Sequence, residues 1–264
     1  IGLHFFSPVE AMPLLEVICG DQTSDKTLGR CLGWAKQVGK LPIVVGDGYG
    51  FYTSRTFAAY LLESVQLVAE GHDPVLIEWA ARRAGMAVAP LKVFDEVSLK
   101  LGSHGMSQAK KFNPEFVELD GIKLLATMVN THERYGKAHG AGFYDYDGRE
   151  RRIWPGLKDL ATGTPDETGV DVIADRLMLA QVNQVAWCLE EGILKNHRDA
   201  EVGAVFGIGF SPASGGPLSW MDGRGLRQVV QDLQALERTH GRRFQPPPLL
   251  INMAEPGERF FPKA

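Results

Sequence analysis

The chain has 264 residues, 44% of them hydrophobic and 23% charged, enough to bury more than one domain-sized core. Its formal net charge of -4, with Lys and Arg dispersed, excludes a basic footprint for nucleic acid. No apolar run approaches the roughly 18 to 20 residues of a membrane-spanning helix, and no basic n-region precedes an apolar segment. The three cysteines, Cys19, Cys31 and Cys188, form no C-x-x-C pair, which points to a reducing, cytoplasmic setting. The seven histidines show no H-E-x-x-H and no cluster at zinc-ligand spacing, so no metal site is expected.

The first residues, Ile1-Gly2-Leu3-His4-Phe5-Phe6, are apolar from the outset, without a polar lead-in or helix cap, and read as a fold entered midway. After a Pro-containing turn, Leu14 to Ile18 is strand-like. A helix is expected from about Ser24, with Asp25 in its first turn and Gly39 at its end, followed by a short apolar strand, Leu41 to Val45. Strand, strand, helix, strand within 46 residues predicts the edge of an α/β sheet. From Phe51 the pattern becomes helical. Arg55 to Glu70 carries an apolar face (Phe57, Leu61, Leu62, Val65, Leu67, Val68) and stops at Gly71, and Asp73-Pro74 is the cap-plus-Pro start of a further helix ending at Gly85. Lys137 to Gly148 reads as polar and Gly-rich, and Thr162 to Gly169 as a linker. The expected fold is mostly α: residues 1–46 as the edge of an α/β domain, then two repeated helical domains over 47–150 and 165–264.

The repeat rests on two matches in order. Arg55 to Gly71 and Arg176 to Gly192 align without a gap at an offset of 121, each running from Arg through an apolar-periodic helix to Glu-Gly. Pro90-Leu91 with Asp95 then matches Pro217-Leu218 with Asp222 at an offset of 127, which predicts six extra residues in the second copy.

Oxidation of a carbinol needs a base for the hydroxyl proton. A neutral imidazole suits that task near physiological pH, provided a carboxylate fixes its tautomer and stabilises the imidazolium. His4 and Glu16 lie twelve residues apart on two strand-like runs that a hairpin would pair. Spacing alone leaves a structural and a catalytic reading open. Gly203-Ala204-Val205-Phe206-Gly207-Ile208-Gly209, with Gly215-Gly216, lacks the third glycine of a phosphate loop and is read as a connection between helices. His132 and His139 are read as solvated, and Trp79, Trp187 and Trp220 as packing residues.

The segments His4-Phe5-Phe6-Ser7-Pro8-Val9, Met12-Pro13-Leu14-Leu15-Glu16-Val17 and Gly50-Phe51-Tyr52-Thr53-Ser54-Arg55 resemble, in order and spacing, signature segments of the NAD-dependent L-3-hydroxyacyl-CoA dehydrogenases. The similarity continues through Gly85-Met86, Pro90-Leu91, Asp95 to Leu99 and Gly142 to Tyr146, and the second copy resembles the extra C-terminal repeat of multifunctional fatty-acid oxidation proteins. The resemblance implies oxidation of an L-3-hydroxyacyl-CoA to its 3-oxoacyl-CoA in fatty-acid β-oxidation. His4 would be the base, Glu16 its orienting carboxylate, and Ser54 and Ser7 substrate-binding residues. Ser54 and Ser7 stand where Asn is common in the family, Tyr49 where Pro is usual, and Ala87 and Ala89 where Pro and Gly are usual.

The resemblance further implies that residues 1–46 are the remnant of a Rossmann-type domain and that NAD is bound mainly by the part of that unit, with its Gly-rich turn, absent from these residues, so no NAD affinity is expected of this chain alone, which by itself would be inactive. It implies an acyl-CoA substrate, a homodimer, a thiolase partner and an upstream hydratase domain. Two other readings stay open: a non-catalytic dimerisation or assembly module, and a retired binder of CoA esters.

Overall fold

The computed structural model describes residues 1–112, 117–165 and 169–262; the stretch 166–168 of the expected linker lies outside them. Strands β1 (Gly2–Phe5) and β2 (Leu14–Cys19), helix α1 (Asp25–Gln37) and strand β3 (Leu41–Gly46) follow in the expected order. Helices α2 (Thr53–Ala69), α3 (Pro74–Arg83), α4 (Pro90–Val97), α5 (Leu99–Phe112) and α6 (Asp120–Asn130) come next. A hairpin of β4 (Tyr144–Asp147) and β5 (Glu150–Ile153) leads to the short α7 (Leu157–Leu160). The remaining helices are α8 (Val170–Glu190), α9 (His197–Ile208), α10 (Pro217–Arg224), α11 (Leu226–His240) and α12 (Pro248–Ala254). The architecture is the expected one, mostly α behind a small α/β edge, with the hairpin as an addition.

The residues gather into two compact units, Ile1–Ala59 with Met178–Ala264, and Tyr60–Leu177. In the first unit β2 is the central strand, antiparallel to β1 and parallel to β3. Its residues Leu14, Leu15, Val17 and Ile18 are buried, as a strand covered on both faces requires. Helix α1 starts where Ser24 caps it, the hydroxyl accepting from the Thr27 N–H, and packs Leu28, Cys31, Leu32 and Ala35 around Leu15 and Val17. Gly203 and Gly207, read from the sequence as part of a connection, lie inside α9. A Cβ at Gly203 would stand 2.7 Å from Ile43 Cδ1, and one at Gly207 2.6 Å from Leu14 Cδ2. These glycines let a helix approach the sheet closely, and the connection proper begins at Gly209, which ends α9 in the left-handed conformation.

In the second unit Asp73 caps α3 by accepting from the Val75 N–H, and Gly71 closes α2 at φ +91°. Trp79, expected to be packed, is 52% exposed on α3, its ring met by the Arg83 guanidinium. Helical periodicity placed it one face away from the buried Ile77, Ala80 and Ala81. The Gly-rich stretch after Lys137 contains the first strand of the β4–β5 hairpin, for which Asp147-Gly148 was the turn signal.

The repeat extends beyond the two sequence matches. In each copy a carboxylate on one helix caps the next: Glu78 Oε1 accepts from the Leu91 N–H at 2.6 Å and Glu201 from the Leu218 and Ser219 N–H groups at 3.1 and 2.7 Å. In each copy the following Asp is buried and receives two successive N–H groups from a returning aromatic pair, Phe143 and Tyr144 on Asp95, Phe260 and Phe261 on Asp222. The capping residues Asp73 and Asn196 also correspond, at an offset of 123. The six additional residues are therefore divided, two before α9 and four after Glu201.

Candidate functional site

The register of the first hairpin sets His4 directly opposite Glu16, and side chains of such a cross-strand pair project from the same face. His4 Nδ1 lies 2.7 Å from Glu16 Oε2. Because the carboxylate is acceptor-only, Nδ1 carries the proton and Nε2 is left as the lone-pair nitrogen. The ring is held against Phe6, centroids 4.6 Å apart, and Phe51, 6.1 Å apart, and its side chain keeps 31% exposure while Glu16 is fully buried.

A buried carboxylate is costly unless its oxygens are satisfied. Glu16 meets that requirement at the start of α2: Oε1 accepts the Tyr52 and Thr53 N–H groups, each at 3.1 Å, and Oε2 accepts the Thr53 hydroxyl at 2.8 Å beside His4. These are orphan donors of a helix N-terminus, where the backbone dipole also favours negative charge. To aim them at β2 the chain turns through Gly50 (φ +75°) and Phe51 (φ +49°), the second a left-handed non-glycine residue costing on the order of 1–3 kcal/mol. The loop joining the two strands is pinned by Lys40, whose Nζ donates to the carbonyls of Val9 at 2.5 Å and Met12 at 2.7 Å.

The start of α2 is held from behind. The Tyr52 hydroxyl donates to Ala200 O at 2.7 Å, and burial, with the charges of neighbouring acids, raises its pKa well above the ordinary value. Arg55 forks onto Glu191 and donates through Nε to Gln184 at 2.9 Å. Burial pushes the nearby Cys188 thiol up to about 12.

Of the four residues singled out in the sequence, His4 and Glu16 meet. Ser54 is the second residue of α2 and Ser7 follows β1 at a cis bond to Pro8; both are exposed, and neither hydrogen-bonds to the pair among the described residues. Sequence reasoning missed Thr53, which sits inside a quoted motif, and Lys40. The signal for Thr53 was a hydroxyl at a helix start, a position where such groups find acceptors.

Among the described residues the strand-to-helix turn from β2 is Gly20 to Ser24, whose helix start is already capped by Ser24 and carries Asp25, a charge that repels phosphate.

Two family models match the chain: "3-hydroxyacyl-CoA dehydrogenase, NAD binding domain" over residues 1–48 and "3-hydroxyacyl-CoA dehydrogenase, C-terminal domain" over residues 50–146. Among curated relatives, the fatty acid oxidation complex subunit alpha of Shewanella loihica is 37% identical over 99% of this chain and 37% of its own length. The protein of the same name from Vibrio cholerae is 38% identical, with the same two shares. The chain thus spans little more than a third of these relatives. The crystal structure of 3-hydroxybutyryl-CoA dehydrogenase from Escherichia coli superposes on 97% of this chain and 70% of that one with a TM-score of 0.76 at 20% identity, a likeness of fold. The (S)-3-hydroxybutyryl-CoA dehydrogenase of Ralstonia eutropha shares 30% identity over 56% of this chain and 52% of that one, with a TM-score of 0.51. The chain belongs to the 3-hydroxyacyl-CoA dehydrogenase family.

Proposed function

We propose that this chain supplies the acid–base half of an NAD-dependent oxidation of L-3-hydroxyacyl-CoA to 3-oxoacyl-CoA in fatty-acid β-oxidation. The observation that carries the reading is the 2.7 Å bond from His4 to a fully buried Glu16 that is itself fixed by the start of α2. His4 Nε2 takes the 3-hydroxyl proton; the Nδ1–H bond keeps the ring in that tautomer and stabilises the imidazolium formed. The hydride would pass to NAD, which supplies that acceptor when bound. Ser54 at the start of α2 and Ser7 after β1 are proposed to contact the acyl-CoA.

The test is turnover of acetoacetyl-CoA with NADH by the parent protein. His4→Ala should lower kcat by on the order of a hundredfold or more, and Glu16→Gln should also lower it. Unchanged turnover in His4→Ala would remove the base from this assignment.

The segments 1–46, 47–150 and 165–264 are proposed as the units of descent, the last two being copies. The names of the relatives support a whole protein acting in a fatty-acid oxidation complex; a thiolase partner, a homodimeric state and a cytoplasmic location are proposed along with it. No described helix is long and apolar enough to cross a membrane. Exposed Val75 and Trp79, one turn apart on α3, favour an assembly role beside catalysis. The fully donated carboxylate favours chemistry over a retired binder.

A further inference from the structure

Glu16 Oε2 serves two side-chain donors at once. His4 Nδ1 approaches at 2.7 Å and Thr53 Oγ1 at 2.8 Å, while the two backbone N–H groups take Oε1. Thr53 is fully buried, so no water competes for its hydroxyl, and its backbone is already committed to the same carboxylate. The two side-chain donors differ in kind: one belongs to the ring that gains a proton during the reaction, the other to a group that stays neutral throughout.

Each neutral donor on a carboxylate stabilises its ionised form and draws charge away from the other bonds it accepts. A hydroxyl on the very oxygen that faces the imidazole therefore weakens the pull of Glu16 on the Nδ1–H, and with it the stabilisation of the imidazolium. It also fixes the orientation of Oε2, since the Thr53 hydroxyl and backbone N–H hold the two oxygens of the one carboxylate.

We propose that Thr53 is a positioning residue that tunes the base: its hydroxyl holds Glu16 Oε2 in line with His4 and, by sharing that oxygen, keeps the imidazole from binding a proton too tightly at neutral pH. The inference rests on His4 and Glu16 being the acid–base pair. The titratable neighbours leave that tuning readable. Tyr52, just before α2, and Cys188, on α8, whose charges would interact with Glu16, are both kept neutral near pH 7 by burial. Arg55 and Glu191 pair with each other beside Cys188, and Glu201 acts on the far side, at Tyr52. None of these replaces the hydroxyl on Oε2.

The deciding experiment is an NMR titration of the His4 ring in the 264-residue chain, with the resonance assigned by His4→Gln, for the unsubstituted protein, Thr53→Val, Thr53→Ser and Thr53→Ala. Thr53→Val keeps the branched shape and removes the donor, so the His4 midpoint should rise by about half a pH unit, roughly a threefold change in the protonation constant. Thr53→Ser keeps the donor and should restore the original midpoint. Thr53→Ala should behave as Thr53→Val, and serves if the Val variant does not fold. A midpoint that stays put or falls in the donor-less variants, or that moves equally in Thr53→Ser, overturns the inference. Since the readout is the ring proton rather than turnover, loss of the catalytic reading through an active His4→Ala parent is a separate result from loss of this one.

Discussion

At the scale of single residues, the second unit turns on Asp95. Its carboxylate is 1% exposed and receives the Phe143 and Tyr144 N–H groups at 2.8 and 3.0 Å and the Tyr146 hydroxyl at 2.9 Å. Gly142 is obligatory beside it, because a Cβ there would stand 2.0 Å from Asp95 Oδ1. Burial outweighs these three donors and pushes Asp95 up to about 6 from an ordinary 3.8. A raised carboxyl favours the folded state fully below the unfolded value and loses that contribution as pH rises through the folded one, between about 4 and about 6 here, on the order of 2–3 kcal/mol. Asp95→Asn sets an amide NH2 against a row of donors and should cost about 1–3 kcal/mol by urea unfolding at pH 7. The same variant should lack Asp95's share of the pH dependence between pH 4 and 6; an unchanged slope would remove Asp95 as its source. The sequence showed Asp95 only as a repeated position. Its role was hidden because the donors lie 48 and 49 residues away.

At the scale of elements, α2 and α8 carry corresponding arginines with corresponding partners. Arg55 takes Glu191 and Gln184, and Arg176 takes Glu70 and Glu63, every partner shifted by the same 121 residues. The two are not energetically alike. The side chains of Arg176 and Glu63 are 4% and 2% exposed and joined at 2.5 Å, whereas those of Arg55 and Glu191 are 24% and 42% exposed. Burial opposes the charge on Arg176, yet Glu63 and Glu70 hold its pKa above the ordinary value. Arg176→Ala removes the cation bonded to a buried carboxylate and should cost about 3–5 kcal/mol. Arg55→Ala should cost about 1 kcal/mol or less, the scale of a solvent-screened pair. Equal losses in thermal or urea unfolding would contradict this ranking. The matching Arg and Glu-Gly were legible as a repeat; that each Arg reaches the other copy's Glu was not, because a one-dimensional offset carries no information about which helix faces which.

At the scale of the whole molecule, buried and half-buried acids recur in both units and shift the same way. Burial raises Glu78 and Asp95 in one unit and Asp199 and Glu201 in the other, in each case against the backbone N–H groups they accept from. All four give up stability as pH rises from the ordinary carboxyl range toward neutrality. A urea series should therefore show their summed contribution declining over that window, and this decline should be smaller in Asp95→Asn. A chain whose stability rose steadily from pH 4 to pH 7 would show these carboxylates to be minor beside other titrations.

What the sequence determined by itself was local and periodic. The apolar runs of the first strands, the Ser24 and Asp73 caps, the glycine stops and the duplicated Arg-to-Gly helices follow from nearest-neighbour sterics and from burying the apolar surface of each element. The cross-strand pairing of His4 with Glu16 was accessible for the same reason, since a hairpin of that spacing sets its own register. The tertiary structure alone decided which donors each buried charge would meet. Glu16 is completed by a helix start 36 and 37 residues on, Asp222 by N–H groups 38 and 39 residues on, and α9 is glycine-bearing because it must approach β2 and β3. A buried polar group must be satisfied wherever the fold can supply a partner, and sequence distance places no limit on where that partner is found.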